Sequence, residues 1–285
     1  MFLDDLPTAP RYDAIIVGAG PAGVSCAMAL AAARRRVLIL EAGSRQAVIG
    51  DHTVGYGHFP GAYWNQRWVR GLGGTSQVRT GWCTIPTPLD FDNPAVGIRW
   101  PIAYDGMLPY WRRAAPILDQ HAAFVGYQAP FVPGFLYRPV PTMAPTRFAE
   151  KFGPVLEASA EIDVLLDRPI VALEANDRRS AVTALTLGRR DGATARLEVT
   201  PAQPIVIAAG GMGNAQLLML PRGDGGVSVG NESGAVGRYL MEHPQFTLAA
   251  RWSPTPSSIT CGRPTTTGPA CTSSSGSRPL PWSAA

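Results

Sequence analysis

Residues 12–30 read YDAIIVGAGPAGVSCAMAL, an apolar strand pattern that leads through three spaced glycines into an alanine-rich helical pattern. The run YDAIIVG predicts a buried parallel strand, and residues 21–33 predict a helix. The following run RVLILEAG predicts a second strand that ends at Glu41. Together these patterns predict one βαβ unit near the start of the chain.

Gly18, Gly20 and Gly23 have the spacing GxGxxG, in which each glycine has a separate role. The first allows a tight turn, the second lets a pyrophosphate approach the backbone, and the third lets the helix pack closely on the strand. The pyrophosphate would then lie at the positive end of the helix dipole. Glu41, 23 residues after Gly18, is placed to accept hydrogen bonds from both ribose hydroxyls and to repel a 2′-phosphate. This order of elements predicts a dinucleotide site.

The same fingerprint serves both NAD and FAD, so the choice between them depends on the residues after Glu41. A long irregular stretch comes next, and then a second glycine turn at Gly73 and Gly74 in the run RGLGGTSQVRTGW. A compact NAD domain would begin its next helix soon after the acid. An extended FAD would need a second loop, whereas a nicotinamide would not, so the residues favour FAD.

The rest of the chain predicts an α/β protein with a doubly wound, Rossmann-like parallel sheet. Helices are predicted over 106–120 and in TRFAEKFGPVLEAS, the latter interrupted or restarted at Pro154. The runs IDVLLDRPIVALEAN, SAVTALTLGRR and ARLEVTP predict a small antiparallel meander. The run PIVIAAG is expected to join the same sheet as AIIVG. We expect a discontinuous cofactor domain over 10–80 and 145–250, with a partial substrate-side region over 81–144.

Composition limits the class of protein. The chain has 285 residues, 46% of them hydrophobic, and a net charge of +4 without an extended basic patch, so no nucleic-acid partner is expected. Its four cysteines and four histidines have no metal-type spacing, which indicates a reducing compartment and no metal site. No signal peptide or membrane span is recognised, so a cytoplasmic location is expected.

At about residues 12–250 the chain resembles the glucose-methanol-choline (GMC) oxidoreductases. The resemblance rests on IIVGAGPAGV, VLILEAG, GLGGTS, DFDNP, WPIAYDGMLPYWRRA, PIVIAAGGMGNAQLLML and VGRYLMEHP, in that order. It implies FAD as cofactor and oxidation of CH–OH groups of a sugar, polyol or other small alcohol, with an electron acceptor that the sequence does not identify. The segment around WPI resembles the sugar and polyol dehydrogenase branch.

The resemblance also implies which residues bind the cofactor. They are Gly18, Gly20, Gly23, Glu41, Ala42, Gly43, Gly73, Gly74, Thr75, Ser76, Val171, Ala209 and Gly210. Residues 73–76 would lie along the flavin-side phosphates and ring. Val171 would face the adenine, and Ala209 with Gly210 would close over the cofactor.

The chain departs from the family pattern at several positions. Arg79 stands near the place where many members have Asn, and is interpreted either as a flavin neighbour or as an exposed arginine. Neither His52 nor His58 lies in a motif for covalent flavin attachment. His243 matches a recurrent family position but not the catalytic one, so no catalytic residue is assigned.

Two other functions stay open: a non-catalytic FAD-binding remnant and an NAD-dependent dehydrogenase. Residues 253–285 are mostly Ser, Thr, Pro and Gly, a composition that predicts a disordered tail. The family's proton-abstracting histidine would come after this point. The tail is interpreted as a frameshifted or truncated end or as a natural linker, and little alcohol oxidation is expected from this chain alone.

Overall fold

The structure is a computed structural model that describes residues 1–7, 12–48, 68–121, 129–132, 135–137, 144–178, 180–220, 229–240, 259–261 and 271–273. Within these ranges the helices are α1 (Pro21–Ala32), α2 (Pro88–Phe91), α3 (Tyr104–Ala114), α4 (Phe148–Ala158) and α5 (Gly210–Leu218). The strands are β1 (Phe2–Leu3), β2 (Ala14–Val17), β3 (Val37–Leu40), β4 (Asp92–Asn93), β5 (Ile98–Arg99), β6 (Ala129–Val132), β7 (Phe135–Tyr137), β8 (Ile162–Leu165), β9 (Ile170–Ala175), β10 (Val182–Gly188), β11 (Thr194–Glu198), β12 (Ile205–Ile207), β13 (Ile259–Cys261) and β14 (Cys271–Ser273). Three 3-10 turns lie at Gly74–Gln77, Pro94–Val96 and Ala115–Leu118.

The chain divides into two compact units. The larger unit is formed by residues 1–83 and 142–240, and the smaller by 84–141 and 241–285. The bounds expected from the sequence were 10–80 with 145–250 for the cofactor domain and 81–144 for the substrate side. What each part binds stays a prediction.

A five-stranded parallel sheet forms the centre of the larger unit. Its strand order is β1-β8-β3-β2-β12, and every neighbouring pair is parallel. Ile16 of β2 pairs with Ile39 of β3 on one side and with Val206 of β12 on the other. The prediction that PIVIAAG joins the sheet of AIIVG is therefore confirmed, as is the α/β fold class.

β2 lies where the strand order of this sheet reverses. From β2 the chain continues to β3 on one side, and it later enters β12 on the other side. Where strand order reverses in this way, the connections after the two strands leave in opposite directions, and ligands of open α/β sheets bind in the gap. The first glycine loop follows β2 at this edge.

The sheet is covered on both faces, which explains its continuous apolar runs. All residues of β2, β3 and β8 are buried. One face packs against an antiparallel meander with strand order β11-β10-β9. Leu38, Leu165, Leu173 and Leu185 share the apolar cluster between these two layers. Helices α1 and α4 pack against the parallel sheet as well.

Two sequence-based assignments in this region are wrong in detail. Ile162–Leu165, which was expected to begin the meander, is a fully buried strand of the parallel sheet, and the meander begins at Ile170. Helix α4 continues through Pro154 without interruption. Both Pro154 and Glu150 are exposed, so the carbonyl that loses its helical hydrogen bond is close to water.

Other elements differ in length from the sequence pattern. The helix expected over 106–120 is α3, which ends at Ala114 and passes into the 3-10 turn at Ala115–Leu118. The edge strand β1 was not predicted, because two residues are too short to show a period. Its Phe2 pairs with Val164 of β8.

The smaller unit contains short elements and an aromatic cluster. The ring centroid of Phe91 lies 5.4 Å from that of Trp100, and 5.8 Å from those of Tyr104 and Trp111. β4 pairs with β5 and β6 with β7, both antiparallel. Of residues 253–285 the structure describes β13 and β14, which pair antiparallel, so the expectation of a disordered tail stays a prediction.

No helix in the described ranges combines the length and the apolar character that crossing a lipid bilayer requires.

A buried polar contact ties the amino ends of three strands together. The Tyr12 hydroxyl donates to Asp163 Oδ2 at 2.9 Å, and Arg36 Nη2 lies 3.4 Å from the same oxygen. Burial raises the pKa of the Tyr12 phenol, and the Asp163 carboxylate raises it further. Tyr12 therefore stays protonated and can donate to Asp163.

Tyr12→Phe should lower the free energy of unfolding by about 1–3 kcal/mol, because a buried carboxylate loses a hydrogen-bond donor. Urea denaturation of the purified chain measures this change. Tyr239→Phe is the matched control, since Tyr239 is 90% exposed and its loss should cost less than about 0.5 kcal/mol. Equal stabilities for the Tyr12 and Tyr239 variants would contradict the structural role of this contact.

Candidate dinucleotide-binding site

Each glycine of the first loop, residues 18–23, meets a different steric demand. Gly18 has φ +109°, and a Cβ there would lie 2.5 Å from the carbonyl oxygen of Ala208. A Cβ at Gly23 would lie 1.9 Å from Gly18 O, so helix α1 can pack against this loop only with glycine at this position. At Gly20 the nearest atom to a Cβ would be the Cα of Gly74, 4.0 Å away. Gly20 therefore borders space that a ligand could use.

Helix α1 begins at this space with its amide groups uncapped. Gly20 is the N-cap residue and makes no side-chain cap, and Pro21 occupies the first helical position. The first turn contains no acidic residue. The positive end of a 12-residue helix is thus left without a compensating charge from its own residues, which suits an anionic group such as a pyrophosphate.

The second glycine loop, residues 71–77, packs directly on the first. Gly73 N donates to Ala19 O at 2.9 Å, and a Cβ at Gly74 would lie 3.1 Å from the Cα of Gly20. Gly73 and Gly74 have φ values of +84° and +51°, which favour glycine. Two glycine-rich backbone segments that lie far apart in sequence therefore meet at one place.

Ser76 and Thr75 lie in the 3-10 turn of this second loop. The Ser76 hydroxyl donates to Gly73 O at 2.6 Å and accepts from Phe148 N at 3.2 Å, so it joins the loop to the start of α4. Arg147 Nη1 donates to Ser76 O at 2.5 Å and to Arg79 O at 2.9 Å. Sequence reasoning missed Arg147, because nothing in a local pattern marks a contact 71 residues away. The side chain of Arg79 is exposed.

Glu41 is the most deeply buried charged group near the loops, with 6% of its surface exposed. Its Oε2 accepts from Ala19 N at 2.8 Å, and its Oε1 accepts from Gly43 N at 2.8 Å and Gly71 N at 3.0 Å. Burial raises the pKa of the Glu41 carboxyl, while the three amides and the nearby Arg70 oppose this rise. Three of the four carboxylate lone pairs are used, so binding of both ribose hydroxyls would require an amide to be displaced.

Arg70 is a second charged residue at the loops that the sequence analysis did not select. Its guanidinium carbon lies 4.9 Å from the ring centroid of Trp68, within cation–π range. Burial lowers the pKa of the half-buried Arg70, and the charge of Glu41 partly offsets this effect. The sequence contains one signal for this region that the prediction did not use. In the run RGLGG a third glycine, Gly71, directly follows this arginine.

Close backbone approach also explains Gly43 and Gly71. A Cβ at Gly43 would lie 2.4 Å from Gly71 N, and Gly71 has φ +136°. Ala42, between Glu41 and Gly43, is half-buried. The residues EAG that were predicted as a unit thus form the tight contact between the end of β3 and the second glycine loop.

The remaining predicted residues lie on two other elements. Ala209 precedes helix α5, and its N–H donates to Asn214 Oδ1 at 2.8 Å. Gly210 has φ +78° with open space where a Cβ would stand. Val171 is on β9 of the meander, with 42% of its surface exposed.

The structure brings most of the predicted site together. Ala208 and Ala209 lie against Gly18, and Gly20 lies against Gly74. Val171 is on a separate sheet, so its role toward the adenine stays a prediction. His52, His58 and His243 lie outside the described residues.

A family model described as "NAD(P)-binding Rossmann-like domain" matches residues 16–50. The described part of this range, up to residue 48, forms a Rossmann-like βαβ unit. The match begins at Ile16 within β2 and continues through the first glycine loop, α1, β3 and Glu41, so it overlaps the βαβ unit predicted from the sequence. It does not reach the second glycine loop. The comparison with curated protein sequences gives no match.

Solved structures similar to this chain include two oxidases and an FAD-dependent oxidoreductase. Pyridoxine 4-oxidase from Mesorbium loti has 17% identity and a TM-score of 0.47, over 73% of this chain and 51% of the other. An FAD-dependent oxidoreductase from Chaetomium thermophilum has 18% identity and a TM-score of 0.49, over 73% and 47%. A fungal aryl-alcohol oxidase has 16% identity and a TM-score of 0.47, over 73% and 47%.

The chain thus spans about half the length of these solved structures. At this level of identity the likenesses concern the fold, and none of them assigns a residue or a substrate to this chain.

Gly20→Val should weaken nucleotide binding by about tenfold or more while the protein still folds, because the branched side chain would occupy the space beside Gly74. Titration calorimetry with ADP, the fragment shared by NAD and FAD, measures this change. Gly23→Ala should instead lower the melting temperature, since its Cβ would clash with Gly18 O. Unchanged ADP affinity in Gly20→Val would remove this loop from the site.

Proposed function

We propose that this chain binds FAD and forms the cofactor-binding part of an oxidoreductase that oxidises CH–OH groups of sugars, polyols or other alcohols. The observation that carries the proposal is the contact between the two glycine loops. Gly74 lies against Gly20, so small residues continue from the uncapped end of α1 into the 3-10 turn at Gly74–Gln77. A pyrophosphate needs the first loop, and an extended flavin dinucleotide also needs the second.

The residues present suit the parts of such a cofactor. Backbone amides at the start of α1 suit the pyrophosphate, since no first-turn acid opposes an anion there. Thr75 and Ser76 come after the second glycine pair and would lie toward the flavin. Glu41 would accept from one ribose hydroxyl, and the exposed Val171 would offer an apolar surface to the adenine.

Bound FAD would supply the hydride acceptor that oxidation of a CH–OH group requires. This chain's glycine loops would hold the dinucleotide and set its orientation. Oxidation of an alcohol also requires a base for the hydroxyl proton. We assign no described residue to this step, and the three histidines considered from the sequence lie outside the described residues.

An NAD-dependent dehydrogenase is the second candidate function, because the matching family model is that of an NAD(P)-binding domain. The absorption spectrum of protein purified with added FAD separates the two functions. Retained flavin absorbance after gel filtration is the expected result. Colourless protein that quenches its tryptophan fluorescence on titration with NADH would favour the second candidate and overturn the first.

Binding and turnover require separate tests. A non-catalytic FAD-binding protein would keep the flavin, but the spectrum would not bleach with any sugar alcohol or aryl alcohol under anaerobic conditions. Bleaching with one class of alcohol would identify the substrate class and establish the oxidoreductase activity. The electron acceptor and the cytoplasmic location expected from the composition stay predictions.

A further inference from the structure

One carboxylate contacts three backbone segments at the carboxyl edge of the parallel sheet. Ala19 belongs to the first glycine loop, Gly43 to the turn after β3, and Gly71 to the start of the second glycine loop. The N–H groups of all three donate to Glu41 at 2.8–3.0 Å. The sequence separation between Glu41 and Gly71 is 30 residues, so the contact is tertiary and not a local turn.

Each hydrogen bond that the Glu41 carboxylate makes is one that it accepts. Oε1 accepts from two amides and Oε2 from one, and the positive charge of Arg70 lies close enough to favour the ionised form. An ionised carboxylate is a pure acceptor, and its hydrogen bonds are stronger than those between neutral groups. A buried carboxylate without partners would be strongly destabilising, so these contacts explain how the charge is tolerated.

We propose that Glu41 is a positioning residue that fixes the two glycine loops against each other before any nucleotide binds. The proposal rests on the proposed function only in taking these loops as the cofactor site. Glu41 would then raise cofactor affinity by holding the backbone of Ala19 and Gly71 in place, in addition to any hydrogen bond that it makes with the ribose.

Two neighbouring contacts share this role. Gly73 N donates to Ala19 O at 2.9 Å, and Leu72 N donates to Ser44 O at 3.0 Å. Both are single backbone bonds, each joining two segments. Glu41 contacts all three segments, so loss of its charge should loosen the arrangement more than loss of either bond.

Glu41→Gln is the decisive variant, because it keeps the size of the side chain and changes only the donor pattern. The amide oxygen of Gln can accept from Gly43 and Gly71 in place of Oε1. Its NH₂ group would then face the N–H of Ala19, donor against donor. The first glycine loop should therefore loosen even though the shape of the site is kept.

The experiment compares nucleotide-free wild type, Glu41→Gln and the control Glu161→Gln. Glu161 directly precedes β8 of the same sheet, but its carboxylate pairs with the exposed Arg34, so its neutralisation should have little effect. Amide hydrogen exchange is read at Ala19, Gly43 and Gly71 by NMR, together with the melting temperature.

We expect Glu41→Gln to speed exchange at Ala19 by about tenfold or more and to lower the melting temperature by about 5 °C, with neither change in the control. If Glu41→Gln behaves like the control without nucleotide and only loses ADP affinity, Glu41 is a ribose ligand alone and the proposal is wrong.

If the Glu41→Gln variant does not fold, amide hydrogen exchange in the wild-type protein tests the proposal. The three amides should then be protected in the nucleotide-free protein, and exchange at the rate of exposed loops would overturn the proposal. Because these measurements contain no cofactor, they are independent of the proposed function. Protein that binds neither FAD nor NADH yet shows the expected exchange would refute the function and support the role of Glu41.

Discussion

Close packing of helix α1 on strand β2 is the constraint on which the rest of the site depends. The clash distance of 1.9 Å between a Cβ at residue 23 and Gly18 O shows how little room the helix leaves. The helix therefore begins directly after β2, with uncapped first amides beside the open space at Gly20. Gly20 and Gly74 meet at this end of the helix, so the second glycine loop packs where the helix begins.

Stabilisation of the site comes from the backbone more than from side chains. Gly18, Gly43 and Gly71 are all placed where a Cβ would overlap a main-chain atom of another segment. Backbone amides cannot be removed by substitution, except to proline, so a site built from them varies little with the side chains around it. Glu41 is one exception, since its carboxylate satisfies three of these amides and the positive charge of Arg70 favours its ionised form.

The elements that the sequence predicted well are those with a local signal. The parallel strands β2 and β3 have continuous apolar runs because both faces are covered, and the glycine spacing reflects contacts within a few residues. The contacts of Glu41 with Gly71 and of Arg147 with Ser76 join residues far apart in the chain, so no local pattern could reveal them. Strand β8 was misplaced for a related reason: only a short turn separates it from β9, and only the sheet partners distinguish the two.

The long stretch between Glu41 and the second glycine loop has fixed ends. Val48 N donates to Arg70 O at 3.0 Å in an isolated antiparallel bridge, a short distance along the chain from both Gly43 and Gly71. The bridge therefore joins the chain after Gly43 to the residue before Gly71 by a second route, independent of the Glu41 carboxylate, so the two ends of this stretch hold each other in place.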